Sequence, residues 1–149
     1  MALELPNDFK EFLALLEQNG VKYLLIGGYA VGVHGYPRAT NDMDIFISIA
    51  TDNVALVIQS LHEFGFQSAS ADLLDKPSSM IRMGIEPNKL EVTNFIDGVT
   101  FEECFANRMR LRVDDKLEIN LISLADLRRN KKASGRNKDL ADLENLPEA

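Results

Sequence analysis

GGYAVGVHGYPRATNDMDIFIS, Gly27 to Ser48, sets a glycine pair and an Asp-x-Asp on either side of a short loop and then runs into apolar residues. From Asp42 onward the pattern alternates. Met43, Ile45, Ile47 and Ile49 fall on one face of a strand, and Asp42, Asp44, Phe46 and Ser48 fall on the other. The first face is expected to be core. On the second, two carboxylates project the same way, separated by roughly 6.5–7 Å along the strand. Like charges about 4 Å apart repel by about 4 kcal/mol at an effective dielectric near 20, so a buried acidic cluster calls for a metal ion, a proton or a basic partner. Carboxylate oxygens of this kind suit Mg²⁺ or Mn²⁺ better than zinc.

Just upstream, Val21 to Ile26 is a short strand-like run ending in Gly27-Gly28. Tyr29, Ala30, Val31 and Val33 then make one or two helical turns before Gly35 and Pro37 break them. Glycine at such a turn lets a phosphate approach the backbone, and the N–H groups of a helix start attract the anion. A third carboxylate from a neighbouring strand would complete the acidic site. Glu91 is the best candidate, with Asp97 in reserve.

Outward from this centre the chain reads as alternating helices and strands. Phe9, Phe12, Leu13, Leu15 and Leu16 recur at helical spacing between Pro6-Asn7 and the stop at Asn19-Gly20. Thr51 is placed to cap a helix running to about Phe64, with Gly65 ending it. Met80–Ile85 and Leu90–Phe95 flank the turn-like Glu86-Pro87-Asn88-Lys89 and predict an antiparallel hairpin. Thr100-Phe-Glu-Glu103 and Ser123-Leu-Ala-Asp126 both resemble capping boxes at helix starts. Between them Met109–Val113 and Leu117–Ile122 read as strands joined at Asp114-Asp115, and a short helix runs from Asp139 to Leu146. The expectation is an α/β (α+β) fold, with a small mixed sheet, helices packed mainly on one face and a cleft on the other. Residues 1–149 read as a single domain, with a core over about 21–122 and a basic helical tail over about 123–149.

The 149 residues are 46% hydrophobic and carry a formal net charge of -7, which leaves no broad electrostatic footprint for DNA. One local patch runs the other way: Arg128–Lys138 packs six of the sixteen Lys and Arg into eleven positions. The single Cys104 excludes an internal disulfide, and the two histidines, His34 and His62, are too far apart in sequence to suggest a metal site. No apolar run approaches the roughly 20 residues needed to cross a bilayer. A cytoplasmic protein without a membrane segment is expected.

The run L-I-G-G-Y-A-V followed by G-Y-P-R-A-T-N-D-M-D-I-F-I resembles the core of the DNA polymerase β-like nucleotidyltransferase superfamily. Gly27, Gly28, Asp42 and Asp44 match its glycine turn and Asp-x-Asp residue for residue. Arg38 and Thr40 match the Arg-x-Thr-x-Asp-x-Asp form of small bacterial members, including those of toxin–antitoxin and abortive-infection systems. The tail K-K-A-S-G-R-N-K-D-L-A-D-L, Lys131 to Leu143, resembles a segment that follows the core in that group. Leu90-Glu91-Val92 departs from the usual Asp at the third acidic position.

The resemblance implies transfer of an NMP group from an NTP to a hydroxyl acceptor, with Asp42, Asp44 and Glu91 as catalytic residues and ligands of Mg²⁺ or Mn²⁺. Gly27, Gly28, Arg38, Thr40, Lys131, Arg136 and Lys138 would bind the NTP. The acceptor is left open among a protein hydroxyl, an RNA end and a small molecule, and a toxin–antitoxin partner is implied as well. A catalytically silent binding partner of the same fold is the alternative. Each residue also has a plainer reading. Arg38 could simply pair with Asp42 or Asp44, the basic tail could be a solvated face, and His34 and Cys104 could be packing residues.

Overall fold

The computed structural model describes residues 3–84 and 88–149. The apolar stripe of the first helix, α1 (Asn7–Gln18), buries Phe9, Phe12, Leu13 and Leu16. It packs beside α3 (Thr51–Phe64), Phe12 lying 5.3 Å from Phe64 between ring centroids. Gly65, with φ 117°, closes α3 as expected. Thr51 is the first helical residue and makes no side-chain cap; Ala50 holds the cap position, and Asn53 ties the helix start down by bonding Lys22 and Ser48.

Among the described residues six strands form one mixed sheet: β1 (Tyr23–Ile26), β2 (Asp42–Ile47), β3 (Met80–Met83), β4 (Lys89–Thr93), β5 (Met109–Arg112) and β6 (Glu118–Leu121). Their spatial order is β3-β4-β2-β1-β6-β5. β1 runs antiparallel to β2 and parallel to β6, and β4 runs parallel to β2. The β3–β4 pair is antiparallel, as the hairpin reading required, although Ile85 of its expected first strand and Glu86 and Pro87 of its expected turn lie outside the described residues. The β5–β6 hairpin turns at Asp114, whose carboxylate accepts from the amides of Lys116 and Leu117.

Met43, Ile45 and Ile47 are wholly buried, as their face predicts. Phe46 is buried too, on the acid-bearing face, against Phe101 of α4 (Phe101–Ala106) at 5.1 Å. Helices therefore cover the far half of that face as well, and only its near half, with Asp42 and Asp44, is left open. Thr100 and Ser123 cap α4 and α5 (Leu124–Ser134) by accepting from the amides of Glu103 and Asp126. Gly135, at φ 65°, then turns the chain into α6 (Asn137–Asn145), which begins two residues before the sequence pattern placed it. No helix among the described residues is long and apolar enough to cross a membrane.

Candidate active site

A cleft of about 530 Å³ opens where the ends of β1, β2 and β4 meet the α5–α6 hairpin. β1 delivers Gly27-Gly28 into α2 (Gly27–Val33), while β2 carries Asp42 and Asp44. In the parallel register of β2 and β4, Asp44 stands opposite Glu91, so the third acid arrives beside the first two as expected.

Gly27 is needed here for two reasons. Its φ is +71°, and a Cβ on it would fall 2.0 Å from Oδ2 of Asp44. The Asp44 carboxylate is thus seated over the bare backbone of the glycine turn. Gly27→Ala is expected to cost about 1–2 kcal/mol from the left-handed backbone alone. It should also push Asp44 out of place, so activity should fall much further than the melting temperature does. A Cβ on Gly28 would meet Thr40 Oγ1 at 2.7 Å. The Thr40 hydroxyl therefore occupies the space a side chain at position 28 would need.

Burial, then the hydrogen bond and charge of Glu91, then the charge of Asp42, raise the Asp44 pKa from 3.8 to about 7, against the opposing pull of Lys138. Asp42 Oδ1 is buried and has no hydrogen-bond partner among the described residues. An orphaned carboxylate oxygen beside an acid driven toward its protonated form is an electrostatic strain that a nearby cation would relieve. The donors are all hard oxygens, which fits Mg²⁺ or Mn²⁺. Among the described residues no three such side chains form a group able to hold an ion as they stand. Glu91 Oε1 forms an ion pair with Arg82 Nε at 2.9 Å. Arg82 faces Glu91 across the β3–β4 ladder, a pairing that sequence pattern alone could not locate.

The expected basic residues separate into two roles. Arg38 does not pair with Asp42 or Asp44. It grips Asp142 on α6 with two bonds, 2.8 and 3.0 Å, and its Nη1 lies 3.4 Å from where a Gly28 Cβ would sit. Lys131 is only 5% exposed, and its amine reaches Asp139 at 3.1 Å and Asp142 at 3.2 Å. It lines the cleft but is a buried structural cation, since both of its carboxylate partners sit behind it in the hairpin. Arg136 is bound to Asp139 yet stays largely in solvent, and exposed Lys138 carries no ion pair among the described residues. Asp97, the reserve third acid, lies on a turn beyond β4 at the cleft wall, where its carbonyl accepts from Asn130.

His34 bonds the Ile122 carbonyl at 2.7 Å and ties the end of α2 to the end of β6. Cys104 is fully buried, and burial, with the nearby Asp126 charge, pushes its thiol up to about 12. Both are packing residues.

Residues 4–146 match a family described as nucleotidyltransferase of unknown function (DUF6036). The chain belongs to that family. No curated protein matches it. Among solved structures, a provisionally named nucleotidyltransferase of Thermotoga maritima, TM1012, superposes with a TM-score of 0.62 at 14% identity, over 93% of this chain and 89% of that one. The lincosamide antibiotic adenylyltransferase LnuA, in its lincomycin-bound form, gives a TM-score of 0.56 at 19% identity, over 95% and 96%. Both likenesses establish the nucleotidyltransferase fold.

Proposed function

We propose that this family member transfers an NMP group from an NTP to a hydroxyl acceptor, using two divalent cations held by Asp42, Asp44 and Glu91. The observation that carries the reading is the buried, unpartnered Asp42 Oδ1 beside an Asp44 whose ionisation is suppressed. Two such ions, when bound, supply a Lewis acid for the triphosphate and lower the pKa of the attacking hydroxyl.

The side chains have the remaining tasks. Asp44 is oriented by its seat over Gly27, which keeps the carboxylate aimed into the cleft. The α2 amides at Gly27 and Gly28 offer donors to the β- and γ-phosphates, while the Thr40 hydroxyl beside Gly28 donates to the Asp42 carbonyl at 3.3 Å and so helps fix the start of β2. Arg38, held by Asp142, presents its Nη1, which also donates to the Ala39 carbonyl at 3.5 Å, to the same place, while Lys138 and Arg136 balance charge on the departing pyrophosphate. Lys131 acts from behind, by keeping Asp142 ionised and fixed under Arg38.

Mg²⁺ with nonhydrolysable NTP analogues should raise the melting temperature; at a hundred times Kd the linkage amounts to about 2.7 kcal/mol. Mg²⁺ alone should give a smaller rise. The Arg82–Glu91 ion pair favours a second reading, a silent binding partner in which the third ligand is permanently occupied. A melting temperature indifferent to Mg²⁺ and to all four analogues would establish that reading instead.

A further inference from the structure

Phe95 and Met80 are large apolar side chains left 51% and 48% exposed, and both line the cleft. Both stand on the Glu91 side. One row across the sheet runs Asp44, Glu91, Arg82, and the next runs Phe46, Thr93, Met80, with Phe95 two residues beyond Thr93. Phe46 is sealed under Phe101. The Thr93 hydroxyl is engaged with the carbonyls of Ser79 and Phe95. Next to the acids, then, this wall offers a thioether and a phenyl ring to solvent and no spare hydroxyl. Its guanidinium, Arg82, is bound to Glu91.

Displacement at phosphorus runs in line, so the attacking oxygen enters opposite the leaving pyrophosphate. With the leaving group at Gly27, Gly28, Arg38 and Lys138, the acceptor enters from the β3–β4 wall. A nucleic-acid end needs cations along its path for its phosphates, and it would meet a chain of net charge -7 whose nearest arginine is already paired. An exposed apolar pair instead gains by covering a ring or chain of similar character.

We infer that the acceptor is a small hydroxyl compound with an apolar ring or chain that lies on Met80 and Phe95; this rests on the transferase reading above. The acceptor oxygen bonds to the α-phosphorus as the bond from that phosphorus to its bridging oxygen breaks. The electron pair leaves on pyrophosphate, and the hydroxyl proton passes to solvent.

The test uses the full chain with ¹³C-labelled methionine methyls, Met80 being assigned through Met80→Leu, in the presence of Mg²⁺ and the NTP analogue that raises the melting temperature most. Phenyl β-D-glucoside at millimolar concentration should move the Met80 resonance saturably, and Phe95→Ala should weaken that binding about tenfold while leaving the NTP-dependent melting shift unchanged. The trinucleotide CCA as RNA, and the peptide Ala-Ser-Ala, should leave Met80 in place. If either of these moves Met80 and the glucoside does not, or if none does, the inference falls while a persisting NTP shift keeps the transferase reading. If no analogue shifts the melting temperature, the transferase reading falls and takes this inference with it.

Discussion

Asp42→Asn combined with Asp44→Asn is expected to lower nucleotide transfer at least about a thousandfold and, at pH 8, to raise the melting temperature of the metal-free protein. On the proposed mechanism the loss would follow from removing the charge that would hold two cations, whose transition-state contribution of several kcal/mol is read at about 1.4 kcal/mol per decade of rate. The gain follows from the sign of the Asp44 shift. A pKa raised from 3.8 to about 7 means that the folded state holds its proton more tightly than the unfolded chain does. The group's contribution to stability is therefore complete below about pH 4 and is lost as pH rises through about 7. Asparagine at 44 keeps the shape, drops the penalty and flattens that slope. At this chain length about 1 kcal/mol corresponds to ~2–4 °C, well within reach of a thermal melt. A double variant that fails to fold would instead make the acid pair a structural element, and the transferase reading would lose its support.

The parts of this site that lie in one stretch of chain were legible beforehand, and those that depend on strand register were not. Gly27-Gly28, Asp42 and Asp44 occupy fixed positions on two adjacent elements, so period-two alternation and a glycine turn suffice to place them. Glu91 was reachable because alternation sets its face and the sheet sets its neighbours. Arg82 was not, because a one-residue slip in the β3–β4 pairing turns every side chain of β3 to the opposite face. Phe46 shows the opposite limit. Its alternation with Met43 and Ile45 suggests an exposed position beside the acids, and only the docking of Phe101 from α4 turns it into core. The basic tail was visible as charge but not as structure. Spacing alone cannot reveal that Asp142, distant in sequence, takes Arg38 away from the Asp-x-Asp and leaves those acids without an ion pair among the described residues.

That hairpin gives the second large effect. Asp142→Ala should cost about 3–5 kcal/mol, since it strips one carboxylate from two cations that are already out of water. Lys131 is nearly fully buried and Arg38 mostly so; Arg38 loses its carboxylate partner, and Lys131 is left with Asp139 alone. Burial by itself would raise the carboxyl pKa values of Asp139 and Asp142. Hydrogen bonds outweigh it, from Arg136, Ser134 and Lys131 to Asp139 and from Arg38 and Lys131 to Asp142, and both groups stay ionised below the usual carboxylate range. A depressed folded pKa contributes stability that is present above about pH 4 and fades as the pH falls further, the reverse of the Asp44 slope. An acid melt of the parent protein should therefore show a steep loss below pH 4 that is shallower in Asp142→Ala. Asp142→Asn, which keeps the hydrogen-bonding shape, should fold better and still release Arg38, so its KM for NTP should rise with a smaller change in kcat. A variant whose acid limb and KM both match the parent would show that the hairpin is only a lid of packed charge, with no hold on the phosphate side of the cleft.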